Sequence, residues 1–214
     1  MKKAGIIGSG DVGKTLASGF LKHGYEVMVG SRSPEKLSEW AAKSGAKTGT
    51  MEQAAKFGEL VVLAVKGADA EHALELAGPK NLEGKTVIDV TNPIDHAKPP
   101  ENGVLRFFTS LDESLHERLQ KKFPGANFVK AFNSIGNSFM VNPDFGGTKP
   151  TMFICGNSEE AKKEAALIVE AFGFEAEDMG KMQAARAIEP LCMLWCIPGF
   201  LRNEWGHGFK LLKK

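Results

Sequence analysis

Three cysteines in 214 residues, Cys155, Cys192 and Cys196, are too few and too irregularly placed for a disulfide framework. No CxxC occurs and no histidine stands at ligand spacing from them, so no metal site is expected and the three read as small apolar core residues. An excess of one charge is missing as well. Lys and Arg number 27 against 26 Asp and Glu, a net charge of +1, which gives no footprint for nucleic acid or for an acidic membrane surface. Basic residues form no long run; Lys121-Lys122 stands at the end of a helical pattern and Lys213-Lys214 is a terminal tail. Long apolar runs are lacking. Ala4–Ile7 is too short for the core of a signal peptide, and Leu191–Ile197 stops at Pro198, short of the roughly 18–20 residues of a membrane span. Repeats and low-complexity tracts are absent. The expectation is a soluble, cytoplasmic protein.

What is present starts at the N-terminus. An apolar run, Ala4-Gly5-Ile6-Ile7, leads into Gly8-Ser9-Gly10-Asp11-Val12-Gly13 and then into a helical pattern from Val12 to His23. A strand, a GxGxxG turn and a helix make up the phosphate-binding unit of a dinucleotide fold. The first glycine permits the tight turn, the second lets backbone approach a pyrophosphate, and the third lets the helix pack on the strand. The helix N-terminus then offers unpaired N–H groups to the phosphates.

Strand and helix patterns alternate after it. Strands are expected at Lys3–Gly8, Glu26–Gly30, Ala46–Thr48, Leu60–Val65, Thr86–Val90, Asn127–Ala131, Thr151–Cys155 and Phe174–Glu177. Helices are expected at Val12–His23, Pro34–Ser44, Glu52–Phe57, Ala68–Leu76, Leu111–Lys121 and Glu159–Phe172, with Ser33 as N-cap before Pro34 and Gly24 closing the first. Lys181–Lys214 reads as helical but broken at Pro190 and Pro198. Loops fall at Pro93–Thr109 and Ser134–Lys149. The fold class is α/β: a Rossmann-type, doubly wound, mainly parallel sheet with a small C-terminal α/β extension. The expected division is a dinucleotide-binding Rossmann domain over 1–148 and a small α/β and helical segment over 149–214.

The second strand ends Val29-Gly30-Ser31-Arg32, without the acid that holds a ribose 2′-OH in NAD sites. Ser31 can donate to a 2′-phosphate and Arg32 can pair with it through a planar fork, with Lys36 one turn into the next helix. Two cations at a helix start oppose the helix dipole, and a bound phosphate dianion reverses that sign. NADP(H) is therefore the expected cofactor. Further ligand contacts are expected at other strand ends: Val65 and Lys66, Asn92 and Pro93, and Ala131 and Asn133. Val65 and Ala131 could flank a nicotinamide ring, and Asn92 and Asn133 could bond its carboxamide or the substrate. No acid–base pair or nucleophile emerges, so no catalytic side chain is assigned. His23 reads as a helix end, His96 and His116 as surface residues, His72 as near enough to reach a cofactor, and His207 as solvated or packed.

These residues together resemble the NADPH-dependent coenzyme F420 reductases, also called F420-dependent NADP oxidoreductases. The resemblance rests on Gly8–Gly13, on Gly30-Ser31-Arg32 with Lys36, on Val129-Lys130-Ala131-Phe132-Asn133, and on Arg186, Glu189-Pro190-Leu191 and Trp205-Gly206-His207-Gly208-Phe209. The soluble reductase domain of the STEAP metalloreductases resembles the same family. The resemblance implies hydride transfer between C4 of NADPH and C5 of a deazaflavin (coenzyme F420) or a flavin-type acceptor, with the rings stacked face to face. Such chemistry asks the protein for orientation and a dry cleft rather than for acid–base groups. It implies that Leu191, Met193, Leu194, Trp195, Ile197 and Phe200 wall the second ring, or else pack in a core or a homodimer interface. Thr91-Asn92-Pro93-Ile94-Asp95-His96 and the stretch between Asn133 and Pro150 are more polar than the pattern of the deazaflavin enzymes. That suits members whose acceptors are flavins or small carbonyl compounds. Reduction of a small carbonyl or imine, and a non-catalytic NADPH-sensing module, are the alternatives.

Overall fold

The computed structural model describes residues 1–214. The strands are β1 (Lys3–Ile7), β2 (Glu26–Gly30), β3 (Lys47–Gly49), β4 (Leu60–Leu63), β5 (Thr86–Asp89), β6 (Asn127–Lys130), β7 (Thr151–Gly156) and β8 (Glu175–Asp178). They form one eight-stranded sheet in the order β3-β2-β1-β4-β5-β6-β7-β8. Every pair is parallel except β6 with β7. The first six strands have the doubly wound order, in which the chain reverses direction beside β1 and leaves a crevice at the strand ends. Their ends are level. Ile7 pairs with Gly30 and with Leu63, and Leu63 with Asp89. One more rung follows each: Gly8 N–H donates to Gly30 O (3.1 Å), Ala64 to Ile7 O (2.8 Å), Val90 to Leu63 O (3.1 Å) and Ala131 to Asp89 O (3.1 Å).

Strand alternation sends side chains to opposite faces of the sheet. Ala4, Ile6, Val62, Ile88 and Val129 join α1 (Asp11–Lys22) and α6 (Glu159–Ala171) through Leu16, Ala17, Phe20, Ala165, Ile168 and Val169. Ile7, Val61, Leu63, Val87 and Phe128 meet α3 (Met51–Phe57), α4 (Ala70–Ala77) and α5 (Leu115–Lys122) on the other face. Phe20 of α1 meets Phe172, at the end of α6, edge to face at 5.1 Å. The β7–α6–β8 unit therefore shares both sheet and core with the residues before position 149.

Local chemistry sets several boundaries. α5 begins at Leu115, not at Leu111, because Ser114 and Glu117 form a reciprocal capping box. Residues Pro34–Leu37 are a 3-10 turn ahead of α2 (Ser38–Ser44), and the Ser33 side chain does not cap it. The C-terminal segment departs most from expectation. α7 (Ala185–Ile188) is followed by α8 (Leu191–Arg202), which runs through Pro198. Proline there removes a bond to Leu194 O without ending the helix, because packing holds Cys192, Trp195 and Gly199 inside. Met182–Arg202 is thus helical over 21 residues with a peak mean hydropathy of 1.3, long and apolar enough to cross a membrane by length and composition. Asn203, at φ +56°, closes α8, and 203–214 form no helix or strand. That tail runs beside β7, with Thr151 N–H donating to Phe209 O (2.8 Å).

Candidate functional site

The glycine turn opens at the carboxyl edge of the sheet. Gly8 has φ +121°, and a Cβ there would lie 2.2 Å from Ala64 O. A Cβ on Gly13 would lie 2.2 Å from Gly8 O, so this glycine sits beneath the turn and sets helix-to-strand packing. Gly10 differs from both: a Cβ there would meet nothing within 4 Å. Space is kept over Gly10 that the protein itself does not fill.

Beside the turn, Ser31 is buried. Ser9 Oγ donates to Ser31 Oγ (3.1 Å), which also accepts from Ser33 N–H (3.1 Å). Arg32 is exposed at the rim and forms no ion pair with a carboxylate. A cavity of about 690 Å³ runs over this surface. Gly8, Ser9, Gly10, Asp11, Val12, Ser31, Arg32, Val65, Lys66 and Asn92 line it, as do His72 and His96. A second compartment of about 470 Å³ adjoins it. The two share Asp11, Val12, Val90 and Asn92, and the second is completed by Asn133, Cys192, Trp195, Cys196 and Trp205.

Four expected contacts lie elsewhere. Gly13 and Pro93 are buried beside the cavity without lining it. Lys36 is exposed on the 3-10 turn, outside the cavity wall. Ala131 is fully buried among the α1- and α6-side core residues, so it cannot flank a ring. Of the six α8 residues expected to wall the second compartment, Trp195 alone does so. Leu194 and Phe200 point outward, because only 192, 195–196 and 199 recur on the inner face of the helix. Trp195 is braced by the tail: its Nε1 donates to His207 O (2.8 Å), and its ring stacks on the His207 ring at 5.0 Å.

Beneath the cavities lies a charged cluster that sequence reasoning missed. His116, expected at the surface, is fully buried with Nδ1 2.9 Å from Asp89 Oδ2. Lys130, also fully buried, reaches Asp89 Oδ2 (2.8 Å), Glu189 Oε1 (3.0 Å) and Thr91 O (2.8 Å). Glu189 additionally accepts from the N–H groups of Leu115 (3.0 Å) and His116 (2.9 Å), at the positive end of α5. Burial disfavours charge on Asp89, but Lys130 and then His116 hold its carboxyl far below the usual range. Burial likewise opposes charge on Lys130, and Asp89 and Glu189 outweigh it, raising its pKa. The signal was a charge inside each of two apolar parallel strands, Val87-Ile88-Asp89 and Phe128-Val129-Lys130. Buried on both faces, such residues must be paired, and Asp89 and Lys130 are register partners. None of Asp89, His116, Lys130 and Glu189 lines either cavity.

Residues 3–93 match the family model described as NADP oxidoreductase, coenzyme F420-dependent. The F420-dependent NADP reductase of Methanothermobacter marburgensis is 30% identical over 218 residues, covering 95% of this chain and 96% of that protein. The metalloreductase STEAP3 of Rattus norvegicus is 32% identical over 204 residues; these span 93% of this chain but 39% of the relative's length. A crystal structure from Arthrobacter sp. FB24, described as a candidate F420-dependent NADP-reductase, superposes with a TM-score of 0.92 at 31% identity, covering 100% of both chains. Imine reductases share the fold at lower identity, one from Streptomyces aurantiacus at 19% with a TM-score of 0.68. With its glycine turn, acid-free second strand and near end-to-end match to the methanogen enzyme, the chain belongs to the coenzyme F420-dependent NADP oxidoreductase family.

Proposed function

We propose that this chain binds NADPH, with the pyrophosphate over Gly8–Val12 and the 2′-phosphate on Ser31 and Arg32, and delivers hydride to a planar deazaflavin or flavin acceptor in the tryptophan-walled compartment. The observation that carries the reading is the junction of the two cavities at Asp11, Val12, Val90 and Asn92. A ring placed there belongs to both spaces, so a donor from one side meets an acceptor from the other. Trp195 and Trp205, 5.7 Å apart, offer flat apolar walls to a second ring. The cofactor would supply the hydride; the residues here bind, orient and exclude water.

Steady-state NADPH oxidation tests the reading, with coenzyme F420, FMN, FAD and a ferric chelate each offered as acceptor. Reduction of the deazaflavin or a flavin supports it. Tight NADPH binding with no acceptor reduced overturns the catalytic part. The ferric chelate is included because the 32% identity to a metalloreductase favours a metal-chelate acceptor as a second reading. The exposed apolar residues Leu194, Phe200 and Leu201 on α8 support a homodimer, which sedimentation equilibrium checks.

A further inference from the structure

Asn92 and Asn133 end adjacent parts of the sheet and hold each other. Asn92 Nδ2 donates to Asn133 O (2.8 Å), and Asn133 Nδ2 donates to Asn92 Oδ1 (3.1 Å) and to Ile188 O (2.9 Å). These partners fix the orientation of the Asn133 amide. Ile188 O can only accept, so the nitrogen must face it; a flipped amide would set two oxygens together and strip Asn92 of a donor. Both Nδ2 hydrogens are then committed. Asn133 Oδ1 is left buried with no partner, in a side chain 4% exposed that lines the second compartment.

A buried acceptor without a donor loses its hydration and gains nothing, which native proteins rarely tolerate. The rest of the amide is spent on rigid partners, so the oxygen cannot turn away to find one. We infer that Asn133 Oδ1 is a recognition point for an amide-type N–H of the bound ligand pair: either the carboxamide N–H of the nicotinamide or a ring lactam N–H of the acceptor. The inference rests on the two-compartment reading above, and where the acceptor supplies the N–H it narrows the acceptor class. Flavins and deazaflavins carry a lactam N–H, and a simple ketone or ester carries none. A site built around a hydrogen bond discriminates strongly against a ligand that lacks the donor, by as much as about 10⁴-fold, because its own buried group is then left unpaired.

Ligand-side substitution tests this with the unaltered protein, by calorimetric titration. One arm compares NADP⁺ with its 3-acetylpyridine analogue, which lacks the carboxamide N–H. The other uses the NADP⁺-loaded protein and compares riboflavin with N3-methylriboflavin. A loss of tenfold or more in affinity in one arm, with less than a twofold change in the other, supports the inference and identifies the source of the N–H. Less than a twofold change in both arms overturns it, and so does a riboflavin arm with no binding beside an unaffected cofactor arm. In an Asn133→Ala variant that retains a cooperative thermal transition, the sensitive analogue and its parent should bind alike. Persistent discrimination there would assign it to steric fit and overturn the role of the oxygen. If no acceptor is ever reduced yet the cofactor arm responds, the catalytic reading fails while this inference stands.

Discussion

Lys130 holds its charge without water because three oxygens replace it: Asp89, Glu189 and the Thr91 carbonyl. Removing one member of a buried ion cluster costs more than the cluster contributes, because the remaining charges are stranded. Lys130→Met leaves Asp89 and Glu189 facing each other, and should lower unfolding free energy by about 3–5 kcal/mol in a denaturant titration. A loss under 1 kcal/mol would mean that one carboxylate takes up a proton at no cost. Glu117 sets an acid limit. Its hydrogen bonds from Arg186, at 2.7 and 2.9 Å, together with the Ser114 cap, lower its pKa from 4.5 to about 2 against the effect of burial. A carboxyl depressed on folding contributes stability that is complete above pH 4.5 and fades as pH falls toward 2. Glu117→Gln should therefore flatten part of the acid limb of a stability-versus-pH curve; an unchanged slope between pH 4.5 and 2 contradicts this. At the cofactor end, Arg32→Ala should weaken NADPH about ten- to a hundredfold, the worth of a charge-assisted bond to phosphate, and barely alter NADH. Equal losses for both cofactors would refute the 2′-phosphate assignment. The place of Arg32, exposed at the end of β2, was readable in the sequence because one strand end decides it. His116 was not, since its burial depends on β5, β6 and Glu189 converging from three distant parts of the chain.

The strand, turn and helix at the N-terminus were legible because period-2 and period-3.6 patterns and the glycine spacing are local. What remained hidden was the division of labour among the glycines, which depends on neighbours across the sheet. Gly13 faces Gly8 O and Gly10 faces open space, so substituting them should have different consequences. Gly13→Val drives a side chain into backbone 2.2 Å away and should destabilise the fold itself. Gly10→Val should fold normally, with a melting temperature within a few degrees of the parent, and lose cofactor affinity because the side chain occupies the pyrophosphate's approach. Thermal denaturation with and without NADP⁺ separates the cases: the Gly10 variant should show the parent's transition but no ligand-induced rise. A Gly10 variant that still gains stability from NADP⁺ would show that the turn serves packing alone. The same dependence on neighbours explains α8. Proline normally ends a helix, but here the inner row Cys192, Trp195 and Gly199 packs on the molecule on either side of Pro198.

Across the whole molecule, the second compartment draws on segments that are remote in the chain: Asp11 and Val12, Asn92, Asn133, the inner face of α8, and Trp205. Its assembly could not be read from local patterns, since the antiparallel β6–β7 pairing and the C-terminal tail bring the last of these together. The tail is fastened at Phe209 to Thr151 of β7, and two residues earlier His207 holds Trp195 by three contacts: stacked ring, Trp195 Nε1 on its carbonyl, and its Nε2 2.9 Å from Trp195 O. The dinucleotide cavity shares none of these residues. Loosening the grip should therefore separate two quantities that a general loss of stability would move together. In His207→Ala the backbone carbonyl remains while the stacking and one hydrogen bond are lost, about 1–2 kcal/mol of positioning for Trp195. With any acceptor that supports turnover, its KM should rise about five- to thirtyfold. The NADPH dissociation constant should stay within twofold, because Gly8–Val12, Ser31 and Arg32 are untouched. Parallel losses in both would mean that the tail stabilises the sheet as a whole. A KM effect confined to the acceptor would show that the tail shapes the second compartment, the half of the site that the glycine turn leaves unspecified.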